Sequence, residues 1–235
     1  MDIFVFITRT KTPQIENRLR SLLNAGIDAY VVVDELETPT KRFISFPDSF
    51  MEEIGWTHHM SQKRNRITAW DKATYFAYKS GAKFAWICED DVYWNKPAVI
   101  KAIIKKASEL NTDLIAYPLA PSYAEEPKWY HWDKANLITN QKKYWMATFN
   151  QLCRVSNRVL EQMNTLSKSR KRLFFHEAMF ATLCRMYKYS VSYLTELDLP
   201  IYIEIRWDKP FTEEQIKELN HKYVLLHPVK FITKS

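Results

Sequence analysis

Three consecutive carboxylates, Glu89-Asp90-Asp91, follow directly on the apolar run Phe84-Ala85-Trp86-Ile87-Cys88. Adjacent carboxylates repel one another, so their ionised form calls for solvent or a cation. Hard oxygen donors suit Mg²⁺ or Mn²⁺, and such an ion keeps open positions for the oxygens of a diphosphate. An acidic cluster alone also reads as a solvated turn; the apolar, strand-like run before it sets this one apart. Two other β-rich apolar runs end in polar groups: residues 3–7 lead into Thr8-Arg9, and residues 29–33 into Asp34-Glu35. A third polar group is basic. Lys63, Arg64 and Arg66 fall at the expected start of a helix, where the dipole favours anions, so they read either as candidates for a nucleotide phosphate or as plain surface charge.

The elements that must position these groups alternate in type. Short apolar runs predict strands over 3–7, 29–33, 84–88 and 113–117. Helical spacing predicts helices over 13–25, 61–79 and 97–110. Pro13 fits a first turn, and Gly26 and Gly81 act as C-terminal stops. This order argues for an α/β domain with a mostly parallel sheet flanked by helices, whose ligands sit at the carboxyl ends of the strands. The second half is less regular. Residues 118–145 read as a polar, aromatic loop, 144–154 as a strand, 157–166 and 176–187 as helices, and 191–194 and 223–226 as strands.

Composition excludes several classes. Only Gly26, Gly55 and Gly81 are present among 235 residues, so neither a G-x-G-x-x-G nor a G-x-x-x-x-G-K-[ST] loop can be written. Any bound phosphate is held by a metal, by Arg and Lys, or by helix N-termini. Three separated cysteines, Cys88, Cys153 and Cys184, indicate neither a disulfide framework nor a structural zinc site. The net charge of +7 favours anionic partners, but the 34 Lys and Arg are scattered, the densest run being Lys168-Ser169-Arg170-Lys171-Arg172. Without a basic leader or a membrane-length apolar stretch, the expectation is a soluble protein of the cytoplasm with no transmembrane segment.

The stretch Arg64-Asn65, Trp70, Ala73, Gly81 and then Phe84-Ala-Trp-Ile-Cys-Glu-Asp-Asp-Val92 resembles the nucleotide-sugar-dependent glycosyltransferases of the GT-A fold, whose metal-binding D-X-D motif has a familiar E-D-D variant. The resemblance covers residues 1–117 moderately well and the rest through short motifs. It implies one GT-A-like domain over 1–235, with a nucleotide-sugar-binding half (1–117) and an acceptor-binding, catalytic half (118–235). It implies Asp91 as the direct metal ligand, Glu89 and Asp90 near the ribose or the outer shell of the metal, Asp34 at the base or ribose, and Thr8 and Arg9 beside the nucleotide. Arg64 would reach a phosphate. His227, in Leu225-Leu226-His227-Pro228-Val229-Lys230, is similar to the C-terminal histidine that completes the metal site, and Lys230 would pair with the diphosphate. Glu177, opening a helix after Phe174-Phe175-His176, is similar to the acidic acceptor-site motif, a general base in inverting members; on its own it also reads as a complement to the helix dipole. The glycine-containing loop that usually precedes that motif is absent.

The activity so implied is transfer of a hexose or pentose from a nucleoside-diphosphate sugar, with a UDP-sugar as the expected donor, to a hydroxyl of a glycan or small molecule. It would use Mn²⁺ or Mg²⁺, with inversion slightly preferred. Tyr123, Trp129, Tyr130, Trp132, Tyr144 and Trp145 are candidates for the acceptor surface or for local core, and Glu125, Glu126 and Asp133 are alternative carboxylates for the base. A sugar-nucleotidyltransferase is the second reading, disfavoured by the glycine-free Thr8-Arg9-Thr10-Lys11-Thr12. A nucleic-acid-binding protein or metal nuclease is the third, with no recognisable nucleic-acid motif to support it and no stable nucleic-acid partner expected. A sugar-binding module without turnover is the fourth.

Overall fold

The computed structural model describes residues 2–58, 67–118, 122, 124–219 and 221–230, with 130, 131, 133 and 134 described by backbone only. A seven-stranded sheet organises the chain. In sequence its strands are β1 (Asp2–Thr8), β2 (Ala29–Val33), β3 (Phe43–Ile44), β4 (Phe84–Glu89), β6 (Leu114–Pro118), β7 (Thr148–Ser156) and β8 (Val191–Tyr193). Their spatial order is β3-β2-β1-β4-β7-β6-β8, and β7 alone runs against its neighbours. The pairing of β4 with β7 joins residues 1–117 to residues 118–235 in one sheet. A second sheet, β5-β10-β9, is built from β5 (Tyr93–Trp94), β9 (Ile201–Ile205) and β10 (Tyr223–His227).

Strands buried on both faces read as unbroken apolar runs, and β1 shows why. Val5 and Ile7 pack on one side with Ala73 and Ala77 of α3 (Ala69–Ser80), Leu160 and Met163 of α5 (Asn157–Arg170), and Phe180 of α6 (His176–Tyr187). Phe4 and Phe6 pack on the other with Ile15, Leu19 and Leu22 of α1 (Pro13–Asn24) and Ile100 and Ile103 of α4 (Pro97–Glu109). The short α2 (Asp48–Glu53) lies beside β3 in sequence, and α7 (Glu213–Leu219) packs Ile216 against Val224 and Leu226 of β10. Among the described residues no helix is long and apolar enough to cross a membrane.

Local signals account for most boundaries. Thr12 caps α1 by accepting from the Ile15 N–H at 3.3 Å, with Pro13 at the first turn. Two expected boundaries are corrected. The helix read over 61–79 starts at Ala69, eight residues late, and residues 61–66, with Lys63, Arg64 and Arg66, lie outside the described residues. Carboxylates fix the true start. Asp34 Oδ1 accepts the Ala69 N–H, and Asp71 accepts from the Thr68 N–H at 3.4 Å. Negative charge at a helix N-terminus is what the dipole favours. The strand expected over 144–154 begins at Thr148, because Lys142–Tyr144 turns as a 3₁₀ segment. The expectations did not include β3, β5, β9, α2 and α7, all short.

Candidate metal centre

Because β1 lies between β2 and β4, with Thr8 opposite Val33 and Ile7 opposite Glu89, the three polar strand ends meet. Thr8, Arg9, Asp34, Glu89, Asp90, Asp91 and Lys230 all line one crevice of about 740 Å³. The starts of two helices open onto it: Thr12, Gln14 and Ile15 of α1, and Thr68, Ala69 and Trp70 of α3.

The acidic turn is held from below by Arg18 of α1. Its guanidinium donates to Asp90 O and Val92 O, both at 2.6 Å, and lies 4.8 Å from the Phe6 ring centre and 4.1 Å from that of Trp94. The fork of donors satisfies two turn carbonyls while the Phe6 and Trp94 rings pack against it. A backbone bond of 2.9 Å from the Val229 N–H to Asp91 O then ties the C-terminal segment to the same turn. This bond brings His227, 136 positions after Asp91 in the chain, into the site.

His227 Nε2 lies 3.1 Å from Asp91 Oδ1 and 3.2 Å from Glu89 Oε2. Its other nitrogen, Nδ1, is 3.0 Å from Arg206 O. A carbonyl only accepts, so Nδ1 carries a proton, and Nε2 of the neutral ring turns its lone pair toward the two carboxylates. One ligand atom from each of Glu89, Asp91 and His227 lies within 4.8 Å of the others. Two hard oxygens and one imidazole nitrogen fit Mn²⁺ well and Mg²⁺ acceptably.

Electrostatics agree with a site shaped for positive charge. Burial opposes ionisation of Asp91, but hydrogen bonds and charge from His227 and Lys230 outweigh it and hold the carboxyl at about 2. Burial likewise opposes a charged His227, yet its contacts with Asp91 and Glu89 raise it to about 9. Without metal at neutral pH, a proton on Nε2 therefore supplies the charge between the two carboxylates. The Lys230 ammonium adds an ion pair to Asp91 Oδ2.

The remaining expected residues take varied places. Asp90 turns away from His227 and accepts from Thr8 Oγ1 at 2.6 Å; burial and the neighbouring Asp91 and Glu89 raise its pKa, against that bond. Asp34 is buried, with Oδ1 on the Ala69 N–H and its carbonyl accepting from Lys72, which also pairs with Asp48 at 2.8 Å. Asp34 thus anchors α3 as well as lining the crevice. Arg9 is exposed at the rim. Glu177 is buried and stands outside the crevice lining, accepting from Gln151 Nε2 at 2.9 Å. Burial, with the nearby negative charge of Glu89, raises it to about 8, so it is protonated at neutral pH in this arrangement.

Two of the loop's aromatic side chains are core. Trp132 and Trp145 are 3% and 6% exposed, their rings stack at 5.8 Å, and their N–H groups donate to Glu126 O and Thr139 O, both at 2.9 Å. Trp129 packs edge-on against Trp132 at 4.7 Å. Tyr123 and the side chains of Tyr130 and Asp133 lie outside the described residues, and Glu125 and Glu126 are exposed.

Two residues have roles in the site that the sequence reading did not assign. Trp70 Nε1 donates to Glu89 Oε1 at 2.8 Å, and its ring stacks on His176 at 3.7 Å and 11°. Arg18 is the second. Both sit at ordinary helical positions, and only their distance from residues 89–92 across the fold reveals the role. No family model matches the chain, and no curated protein matches it.

Proposed function

We propose that this chain is a metal-dependent transferase that moves a sugar from a nucleoside-diphosphate donor, a UDP-sugar first, to a hydroxyl acceptor. The observation that carries the reading is a crevice at the strand ends lined by Glu89, Asp91 and the start of α1, with His227 Nε2 in contact with both carboxylates. Carboxylates alone would repel a diphosphate; a helix start and a cation beside them favour one.

Glu89, Asp91 and His227 would hold Mn²⁺ or Mg²⁺, which when bound supplies charge neutralisation for the diphosphate. The α1 start, Arg9 and Lys230 would bind its oxygens, and Asp34 and Asp90 would orient the nucleoside. Glu177 is the proposed general base. The acceptor oxygen bonds to the anomeric carbon as the bond from that carbon to the diphosphate oxygen breaks. The electron pair leaves with the diphosphate, and the acceptor proton passes to Glu177 in its ionised form, which a pKa of about 8 makes the minority form at neutral pH. A carboxylate whose pKa lies near 8 is a strong base once ionised.

The test is release of nucleoside diphosphate from a panel of UDP- and GDP-sugars, with and without Mn²⁺, for the wild type and Asp91→Ala. The reading predicts Mn²⁺-dependent release by the wild type, lost in the variant. Full activity of Asp91→Ala, or no release from any donor, contradicts it.

A further inference from the structure

The loop after β9 carries the most exposed large apolar side chain among the described residues, Trp207, which is 79% exposed. Its backbone is fixed on both sides to the segment that bears His227. The Arg206 N–H donates to His227 O at 2.8 Å, and the Phe211 N–H donates to Pro228 O at 2.9 Å. Between them, Arg206 O accepts from His227 Nδ1 at 3.0 Å. The Arg206 side chain is fixed as well, bonded to Glu204 at 2.6 Å and lying 3.8 Å over the Phe211 ring. Trp207 therefore stands one residue from the carbonyl that orients the candidate metal ligand, on a loop whose two ends are hydrogen-bonded to the segment bearing it.

An indole left in water forgoes one of the largest burial gains available to a side chain. Its sequence neighbours are charged: Arg206, Asp208 and Lys209. Protein-binding surfaces present contiguous apolar patches of several hundred Å², and a lone ring flanked by charges is not one. Such a ring matches a ligand with one apolar face and a rim of hydroxyls, which describes a pyranose: its C–H face stacks on the indole while its hydroxyls stay in water or reach the charged neighbours Asp208 and Lys209.

We propose that Trp207 is a stacking platform for a neutral saccharide, the acceptor of the reaction. The acceptor role rests on the transferase reading above; the saccharide binding is tested without it. The full chain labelled with 5-fluorotryptophan is observed by ¹⁹F NMR, and the Trp207 line is assigned by its loss in Trp207→Phe. The probes are the methyl glycosides of glucose, galactose, mannose and N-acetylglucosamine, with lactose and maltotriose. The expected result is a saturable shift of the Trp207 line by at least one probe. Affinity should fall about tenfold in Trp207→Ala, and Trp207→Phe should restore most of it by keeping a stacking ring. Binding of UDP with Mn²⁺, measured by calorimetry, should be the same in Trp207→Ala as in the wild type. The proposal is overturned if no probe moves the Trp207 line, or if a bound probe moves only other lines. A line that shifts with protein concentration alone identifies a contact between copies, which also overturns it. Failure of UDP and Mn²⁺ to bind the wild type, with the saccharide shift intact, would remove the transferase reading and leave the platform standing.

Discussion

Replacing Trp70 by Phe removes one hydrogen bond from the candidate metal centre, together with part of a buried indole's packing. The indole N–H donates to Glu89 Oε1 at 2.8 Å, which leaves Oε2 aimed at His227, 3.2 Å away. A phenyl ring keeps the stack on His176, 3.7 Å between ring centres in the wild type, but has no donor. A hydrogen bond to a charged group contributes about 1.5–3 kcal/mol. The Glu89 side chain is 27% exposed, so solvent screens part of this, and about 1–2 kcal/mol is the working figure. That corresponds to a 5–30-fold loss of Mn²⁺ affinity, on the order of what outer-shell partners of metal ligands contribute. Calorimetric titration of Mn²⁺ into both proteins measures it, with thermal unfolding of the metal-free forms as a control for folding. A folded Trp70→Phe that binds Mn²⁺ as tightly as the wild type would refute the reasoning, since either Glu89 needs no orienting or it is not a ligand.

Metal-free protein should lose stability as pH rises from about 5 to 9. Glu177 is raised from 4.5 to about 8 and His227 from 6.5 to about 9, so the folded state keeps protons that the unfolded chain releases. The stabilisation is full below the ordinary values and lost as pH climbs through the raised ones, at up to ~1.4 kcal/mol per pH unit per group. Glu177→Gln should flatten the part of a urea-denaturation profile between pH 5 and 8; an unchanged slope there contradicts the raised value. At the acid end Asp91, held at about 2, contributes stability above pH 3.8 that disappears as pH falls toward 2, and Asp91→Asn should abolish that limb. Mn²⁺ binding at pH 7 should displace about one proton from His227, seen as a dependence of calorimetric heat on buffer ionisation enthalpy; absence of that dependence would place the metal elsewhere. Gly55→Ala should destabilise the fold by more than ~2 kcal/mol without changing Mn²⁺ affinity. Its Cβ would lie 2.5 Å from Ser167 O and 2.7 Å from Lys171 Cα, at φ +70. A denaturation midpoint equal to the wild type would show that α5 can yield there.

The parallel core was legible because burial on both faces leaves a pattern that no loop produces: β1, β2 and β4 are near-continuous apolar runs, each ending abruptly in polar residues. Neighbouring strand order then brings those ends together. The N-terminal limit of α3 was misread for a related reason. Helical periodicity extended the element back into residues 61–66, whereas the capping groups are Asp71, three residues in, and Asp34, on another strand. Partners distant in sequence also hid the roles of Trp70 and Arg18, whose helical positions resemble any half-buried face. Of the sheet that delivers His227, β10 was legible as a strand over 223–226, whereas β5, two residues long, and β9, a partly exposed edge, make their case only as its partners. The tryptophans of 118–149 left two readings open. Their density suggested a sugar surface as well as local core; Trp132 and Trp145 stack on each other in the core, while Trp207, isolated in sequence, is the most exposed tryptophan among the described residues.

The central claim is that Glu89, Asp91 and His227 grip a divalent cation at the crevice mouth. Anomalous diffraction from a crystal soaked in Mn²⁺ and UDP tests it most directly. The prediction is a single strong manganese peak within bonding distance of Glu89, Asp91 and His227 Nε2, with the diphosphate beside it at the start of α1. A manganese peak bound elsewhere, or these three side chains still joined by a proton with nucleotide present, would contradict it.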